Sequence, residues 1–270
     1  MKRILVAIPC YNCEKQIPRV LRKFDDRLLK RIEKVVLVDN CSTDNTVQSV
    51  TQTLSALETF SFELIKNQEN YGLGGTHKVA FLRAIEEGFD YVAILHGDDQ
   101  GEVDELNALL DAAENFPDCA AILGARFMPG SRTPGYSLIR KMGNIGLNFL
   151  YTTLSGRPTW DLGSGLNLFK VSELSPSRFL QYSDGFTFNM DLLLGLFSVG
   201  KRLRFVPITW SETDQRSNAS SFKVGWIALK TLLKWRTGGA KRQQDGHPSR
   251  TYASQVVFRV QSSIRSGGMR

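Results

Sequence analysis

The sequence contains no uninterrupted run of 18 apolar residues, so it predicts no helix that spans a membrane. A short apolar stretch follows Lys2 and Arg3 and resembles the start of a signal peptide. This stretch ends at Pro9, which makes it too short for that role. We therefore expect a protein that works on the cytoplasmic side of the membrane.

Cysteine and histidine are scarce, with 4 and 3 residues in a chain of 270. Cys10 and Cys13 form a C-x-x-C pair after the first predicted strand, and Cys41 ends the second, which leaves a redox pair or a zinc site open. No fourth cysteine or histidine stands at zinc-ligand spacing, and His77 and His247 are expected in unrelated settings. Reduced cysteines in the core or in loops are therefore the favoured interpretation.

Acidic residues are outnumbered, with 27 Asp and Glu against 34 Lys and Arg and a net charge of +7. From Lys230 onward, basic residues dominate and acidic residues are nearly absent. Such a charge attracts anions, which include nucleic acid, anionic lipid and phosphorylated ligands. The basic residues lack the aromatic interleaving of a nucleic-acid-binding module, so we expect no nucleic-acid partner.

Strand and helix patterns alternate through the first half of the chain. Short β-branched apolar runs predict strands, and longer segments of helical periodicity separate them. Repeated β-α units with short connections are typical of an α/β fold with a largely parallel sheet and right-handed crossovers. The predicted strands cover residues 3–8, 34–38, 60–65, 91–95 and 120–123.

A cluster of polar residues follows the apolar run 91–95, and this run predicts a buried strand. Ligands of open α/β sheets bind beyond the carboxyl ends of the strands, so His96, Asp98, Asp99 and Gln100 are expected to face a bound molecule. Two carboxylates and an amide supply the oxygen ligands that Mg²⁺ or Mn²⁺ prefers. The same residues also suit an ordinary turn before a helix, and this interpretation stays open.

The alternation breaks after Gly124. Residues 145–154 are apolar and stand close to many cations, so they either pack on the core or lie in a membrane interface. A later predicted helix carries Asp191 among apolar residues, which makes this carboxylate either functional or ion-paired. Beyond Thr237 we expect a mobile or loosely attached tail, in which only residues 255–260 resemble a strand.

Several spaced motifs between residues 3 and 236 together resemble family-2 inverting glycosyltransferases, in the branch that contains dolichyl-phosphate mannose synthases. Their order along the chain makes the resemblance more specific than any single motif. The motifs are I-P-C-Y-N at 8–12, V-D-N-C-S-T-D-N-T at 38–46, N-Y-G-L-G-G at 70–75, H-G-D-D-Q at 96–100, G-A-R-F at 124–127, R-K at 140–141, S-G at 164–165 and V-P-I at 206–208.

The resemblance implies an α/β fold of the Rossmann-like GT-A type, with a mostly parallel central sheet flanked by helices. It implies one catalytic domain over residues 1–236, in which 1–124 bind the nucleotide sugar. Residues 125–236 would bind the acceptor and contain the membrane-interface helix, and residues 237–270 would form a basic, flexible tail. The oligomeric state stays open, a homo-oligomer included.

The resemblance also assigns metal and donor contacts. Asp98 and Gln100 match metal ligands, and Asp98 counts as catalytic. His96 replaces the first Asp of the family's acidic motif, and it would ligate the metal, bond the donor phosphate or line the pocket. Mg²⁺ or Mn²⁺ and a UDP-sugar or GDP-sugar are the implied cofactor and donor. The positions that match donor contacts are Pro9, Tyr11, Asp39, Gly72, Arg126, Arg140 and Lys223.

Four basic residues match positions around the phosphates of the donor or of the lipid acceptor: Arg126, Arg140, Arg216 and Lys223. Of these, Arg216 is also a catalytic candidate. The planar guanidinium suits this role because it binds two phosphate oxygens together. Metal and cations would stabilise charge on the departing nucleoside diphosphate, while the acceptor attacks the opposite face. A phosphate acceptor needs no base, whereas a hydroxyl acceptor would need one, for which Asp191 is the candidate.

The implied activity is therefore transfer of a sugar to a polyprenyl phosphate or another membrane-associated acceptor. Peripheral attachment would use residues 145–154 and the basic carboxyl-terminal region. A soluble polysaccharide or small-molecule acceptor, or a non-catalytic nucleotide-sugar-binding protein, are the alternatives. A nucleotidyltransferase is disfavoured because the chain lacks a glycine-rich lysine signature for phosphate activation.

Overall fold

The computed structural model describes residues 2–56, 60–212, 221–238 and 249–260, with only the backbone for residues 221–224. The strands are β1 (Ile4–Cys10), β2 (Lys34–Asp39), β3 (Phe62–Asn67), β4 (Tyr91–Leu95), β5 (Cys119–Ala125), β6 (Leu166–Lys170), β7 (Arg202–Pro207) and β8 (Ser254–Val260). The helices are α1 (Ile17–Arg22), α2 (Asp26–Leu29), α3 (Thr46–Ser55), α4 (Gly72–Glu86), α5 (Leu106–Asn115), α6 (Leu138–Ser155), α7 (Pro176–Phe179), α8 (Phe188–Ser198) and α9 (Ser221–Gly238).

The strands form one sheet in the order β7-β5-β6-β4-β1-β2-β3-β8. The pairs β1/β2, β1/β4, β2/β3 and β5/β7 are parallel. Strand β6 runs antiparallel to both β4 and β5, and β8 runs antiparallel to β3. The predicted α/β class with a mostly parallel sheet flanked by helices is confirmed.

Helices cover both faces of the sheet, which explains why the central strands read as continuous apolar runs. Along β1, Leu5 and Ala7 pack toward α4, α8 and α9, whereas Val6 and Ile8 pack toward α1, α3 and α5. Successive side chains of a strand point to opposite faces, so each strand serves two cores. Because β1 pairs in parallel with both β2 and β4, the carboxyl ends of these three strands lie at one edge of the sheet.

The carboxyl-terminal region differs from the predicted loose tail. Residues 237 and 238 belong to α9, and Ser254–Val260 forms the edge strand β8. Strand β3 offers an open edge of backbone donors and acceptors, and the β-branched run of β8 pairs with it. Residues 239–248 and 261–270 lie outside the described residues.

Helix α6 is longer than the predicted segment 145–154 and ends at Ser155. The next residue, Gly156, has a φ of 68°, the left-handed conformation typical after a helix. The buried residues of α6 are Asn148 and Tyr151. Leu138 and Phe149 are 72% and 66% exposed, so packing on the core does not account for the apolar side of this helix. None of the described helices combines the length and apolarity needed to cross a bilayer.

Candidate functional site

A cleft of about 460 Å³ lies beyond the carboxyl ends of β1 and β4, where ligands of open α/β sheets bind. Loops after these strands, the amino end of α4 and the start of α6 form its walls. Eight of the residues predicted from the sequence line it: Pro9, Tyr11, Gly72, His96, Asp98, Gln100, Arg126 and Arg140.

Asp98 lies in the loop after β4, and its carboxylate lines the cleft. Its Oδ1 accepts a hydrogen bond from the backbone N–H of Gln100 at 3.2 Å. Burial raises the pKa of the Asp98 carboxyl, and the neighbouring His96 opposes that rise. A carboxylate whose charged form is disfavoured by burial gains from a cation beside it, so Asp98 suits a metal ligand.

Asp99 does not face the cleft, although the sequence suggested that it would. Its backbone has a φ of 59°, and its carboxylate binds Arg19 at 2.6 Å and Lys23 at 2.8 Å. The left-handed turn separates the two adjacent carboxylates, which makes Asp99 an anchor for α1.

His96 lines the cleft and contacts a second buried histidine. The Nε2 atoms of His96 and His77 lie 3.3 Å apart, and burial lowers the pKa of both imidazoles. Both rings are therefore neutral at neutral pH, so one donates and the other accepts. A Cβ on Gly165 would lie 2.5 Å from Nδ1 of His96, which shows how tightly the ring is enclosed. The prediction that His77 lies in an unrelated setting was wrong.

The metal-ligand set predicted from the sequence is thus divided. Asp98 and Gln100 remain candidates, whereas His96 directs one ring nitrogen to His77. Within the described ranges, no group of three or more His, Cys, Asp or Glu side chains is arranged to hold a metal ion.

Arg126 is fixed in the cleft wall by Asp161, a residue that sequence analysis did not select. Its Nε and Nη2 each donate to this carboxylate at 2.8 Å, and its guanidinium lies 5.3 Å from the Trp210 ring centroid. Burial lowers the pKa of Arg126, but the charge and hydrogen bonds of Asp161 outweigh it and raise the pKa. The guanidinium therefore stays charged in a buried position.

Arg140, at the start of α6, has the same arrangement with Glu212. The two Nη atoms donate to the Glu212 oxygens at 2.5 and 3.2 Å, and the guanidinium lies 4.5 Å from the Tyr136 ring centroid. Glu212 lines the cleft as well. Two arginines from distant segments thus enter the cleft already oriented by carboxylates.

The N-Y-G-L-G-G motif forms the amino end of α4. Asn40, after β2, donates to Asn70 and accepts from the Tyr71 backbone N–H, both at 2.8 Å. Gly72 has a φ of 73°, and a Cβ there would lie 2.5 Å from the Asp184 carbonyl oxygen. Glycine is therefore required at this wall of the cleft.

Four predicted site residues are not placed in the cleft. Asp39 is the last residue of β2 and is fully buried, and both of its carboxylate oxygens lie 3.3 Å from the Ser42 backbone nitrogen. Asp191 is buried on α8, where its Oδ2 accepts from the Ser183 N–H at 3.3 Å, and it is not among the described residues that line the cleft. Arg216 and the side chain of Lys223 lie outside the described residues.

A Rossmann-like sheet with a carboxylate and two oriented arginines in the cleft beyond its strands suits a ligand that carries phosphate groups, as expected for a glycosyltransferase of the GT-A class. Comparison with known proteins agrees with this class. The model of glycosyl transferase family 2 matches residues 5–172, and the chain belongs to this family.

Similar proteins include enzymes named for polyprenyl-phosphate acceptors. The chain is 24% identical over 234 residues to an undecaprenyl-phosphate mannosyltransferase of Micrococcus luteus, covering 86% of this chain and 93% of the relative. It is 27% identical over 183 residues to a UDP-N-acetylglucosamine–dolichyl-phosphate N-acetylglucosaminyltransferase of Methanococcus voltae, covering 64% and 71%.

The fold is also similar to that of glucosyl-3-phosphoglycerate synthase from Mycobacterium tuberculosis. The crystal structure of that enzyme with Mn²⁺, UDP and phosphoglyceric acid aligns with a TM-score of 0.62 at 14% identity. The alignment covers 88% of this chain and 79% of the other. At this identity the likeness shows the fold alone.

Proposed function

We propose that this protein transfers a sugar from a nucleotide sugar to a polyprenyl phosphate at a membrane surface. The observation that carries the proposal is the position of α6, which places Arg140 in the cleft and exposes Leu138, Ile139 and Met142 to solvent. An apolar surface beside a cationic cleft suits an acceptor with an apolar chain and a phosphate head. The two relatives named above act on acceptors of this chemistry, according to their names.

The proposed cofactor is Mn²⁺ or Mg²⁺, held by Asp98 and Gln100. These residues fit a hard divalent cation because both offer oxygen ligands in the cleft, and burial disfavours an unaccompanied Asp98 charge. When bound, the cation would offset the negative charge that develops on the departing nucleoside diphosphate. The remaining ligands would come from the diphosphate oxygens.

Arg126 and Arg140 would bind phosphate oxygens of donor and acceptor. Each guanidinium has five N–H donors, and its carboxylate partner uses only part of them. Because Asp161 and Glu212 already fix the two side chains, little side-chain entropy is lost when a phosphate binds. The same fixed charges would favour the leaving diphosphate in the transition state.

The carboxylates of the cleft favour a phosphate acceptor over a hydroxyl acceptor. Among the described residues that line the cleft, only Asp98 and Glu212 carry carboxylates, and Glu212 binds Arg140. Asp191, the base expected for a hydroxyl acceptor, is buried on α8. A phosphate oxygen is already anionic, so it can bond to the anomeric carbon while the bond to the diphosphate breaks, without proton removal.

The proposed donor is a UDP-sugar, with a GDP-sugar as the alternative. The Methanococcus voltae relative is named for a UDP-sugar, and the structural neighbour was crystallised with UDP. Both support a uridine nucleotide as the donor.

The test is calorimetric titration of UDP and GDP, and of their sugars, in the presence of Mn²⁺ or Mg²⁺, followed by transfer assays with undecaprenyl phosphate. We expect metal-dependent binding of a uridine nucleotide and product formation on the lipid phosphate. Asp98→Asn should lower the transfer rate by roughly 100-fold, because it weakens binding of the cation that would offset the negative charge on the leaving group.

Asp99→Asn is the matched control, since Asp99 is the neighbouring carboxylate but binds Arg19 and Lys23 outside the cleft. Its transfer rate should stay close to that of the native protein. The proposal is wrong if no nucleotide binds with either metal, or if Asp98→Asn transfers sugar as fast as Asp99→Asn.

A further inference from the structure

The segment of residues 249–253, here called the strap, precedes β8 and lies against the amino end of α4. The Tyr71 hydroxyl accepts from the Ala253 N–H at 3.0 Å and lies within hydrogen-bonding distance of the Thr251 and Ala253 carbonyl oxygens. The Gln68 N–H donates to the Ala253 carbonyl at 3.1 Å. The strap is therefore attached to the loop that carries the N-Y-G-L-G-G motif.

Two strap side chains bind one carboxylate. Arg250 donates to Asp184 Oδ2 at 2.9 Å and to Glu69 at 3.1 Å. The Tyr252 hydroxyl donates to Asp184 Oδ1 at 2.6 Å, and the buried Lys78 donates to that same oxygen at 2.7 Å. Burial alone raises the pKa of Asp184, but the hydrogen bonds from Lys78 and Tyr252 outweigh it and lower the pKa.

The backbone of Asp184 connects this carboxylate to the cleft. Its carbonyl oxygen accepts from the N–H groups of Gly74 and Gly75 at 2.8 and 3.2 Å, in the first turn of α4. Gly185 and Phe186 follow directly and line the cleft, and the Phe186 side chain is 60% exposed. Asp184 thus joins the strap, the amino end of α4 and one wall of the cleft.

We propose that Arg250 and Tyr252 are positioning residues that act through Asp184, holding the Gly185–Phe186 wall in the arrangement that binds the acceptor. The assignment of this wall to the acceptor rests on the proposed function, because an exposed aromatic ring in the same cleft as Arg140 suits the apolar chain of a polyprenyl phosphate. The hydrogen bonds that the structure describes for Arg250 and Tyr252 join them to Glu69, Lys78 and Asp184 rather than to the proposed metal ligands or the arginines of the cleft. Loss of these contacts should therefore act on acceptor binding and not on the chemical step.

Hydrogen exchange of the intact protein tests the mechanical part without any substrate. Arg250→Ala and Tyr252→Phe should each speed amide exchange at Gly74 and Gly75 and in residues 183–186 by about fivefold or more. Exchange in β4 should not change. Tyr252→Phe removes a single oxygen, so it remains informative if Arg250→Ala folds poorly.

Arg259→Ala is the matched control, since Arg259 lies on β8 and binds Glu63 at 2.9 Å, at the far end of the same carboxyl-terminal segment. Exchange at Gly74 and Gly75 that stays native-like in both strap variants, or that rises equally in Arg259→Ala, would overturn the proposal. The hydrogen-exchange experiment tests the role of the strap even if undecaprenyl phosphate proves not to be the acceptor.

Steady-state kinetics test the functional part. In the strap variants, the KM for undecaprenyl phosphate should rise about fivefold while kcat at saturating acceptor stays within about twofold of native. Arg250→Lys keeps a positive charge beside the Asp184 carboxylate, so its KM for undecaprenyl phosphate should rise less than that of Arg250→Ala. A fall in kcat with an unchanged KM would overturn the positioning role.

Discussion

Arg126 and Arg140 are each held at two points by a buried carboxylate, so the cleft contains cations whose geometry is set before a substrate arrives. Asp98 is in the opposite situation, because burial raises its pKa without a comparable ion pair in the contacts described above. The two arginines are therefore already stabilised by their ion pairs, whereas the charged form of Asp98 gains stability when a cation binds beside it.

Glu63 shows the same physics at a purely structural position. It is fully buried in β3 and binds Lys34, Arg83 and Arg259 at 2.6 to 2.9 Å. Burial alone raises its pKa, but hydrogen bonds from Lys34 and Arg259 and the charge of Arg83 outweigh it and lower the pKa. Its stabilising contribution is therefore present above the unfolded carboxyl pKa and is lost as pH falls through the lowered folded value.

Glu63→Gln should lower the free energy of unfolding by about 2 kcal/mol at neutral pH, since it removes hydrogen bonds to charged groups. The deficit should shrink below about pH 4, where the carboxyl of the unfolded chain protonates while the native carboxyl, whose pKa is lowered, still holds its charge. Urea unfolding at about pH 7 and pH 3 measures both effects. Glu114→Gln is the control, because Glu114 binds Arg31 but is 71% exposed. A deficit that is the same at both pH values would contradict the assignment.

At the scale of elements, α6 has two different sides. Asn148 donates to the Trp160 carbonyl at 2.6 Å, and the Tyr151 hydroxyl donates to the Ala228 carbonyl of α9 at 2.8 Å. These polar anchors fix the inner side of the helix, while Ile139 is 85% exposed on the outer side. A contiguous apolar helix face in solvent is typical of an interaction surface, and we propose that it contacts a membrane.

Ile139→Glu combined with Phe149→Glu should reduce binding to lipid vesicles by about 10-fold or more, because two apolar side chains no longer enter the bilayer interface. Nucleotide binding should be unchanged, since neither residue lines the cleft. Vesicle flotation measures the first effect and calorimetry the second.

The control for α6 is Val256→Glu combined with Val257→Glu, which makes the same charge change on the exposed strand β8. Vesicle binding by this variant should fall less than vesicle binding by the α6 double variant. Equal loss in both double variants would mean that net charge alone governs membrane contact.

At the scale of the whole molecule, positive charge and exposed apolar surface coincide. The net charge is +7, and neither α6 nor α9 contains an acidic residue. The two helices are in contact, because the Tyr151 hydroxyl of α6 donates to the Ala228 carbonyl of α9. This arrangement favours a surface that carries anionic lipid.

Binding to vesicles that contain anionic phospholipid should weaken at least about 10-fold between 0.05 and 0.5 M NaCl, because salt screens surface charge. Vesicles of neutral phosphatidylcholine should bind less tightly at low salt. Flotation at both salt concentrations gives the comparison, with duplex DNA as a competitor that should have little effect. Salt-independent binding would show that the apolar face acts without the basic residues.

Residue patterns along the chain are sufficient to predict the α/β class and the place of the cleft. The apolar run of β4 and the polar residues after it are neighbours in the chain, so periodicity and chain order were enough to locate Asp98 and Gln100. The separated motifs added Pro9, Tyr11 and Arg126, since strands of a parallel sheet end at one edge.

Which groups meet across long distances in the chain follows from the folded structure and not from local patterns. Asp161 and Glu212 lie 35 and 72 residues from the arginines they bind, and His77 lies 19 residues from His96. The exposure of α6 and the pairing of β8 with β3 depend likewise on which neighbouring surfaces are already covered. A local pattern encodes the face that an element can bury, but packing of the whole chain selects its partner.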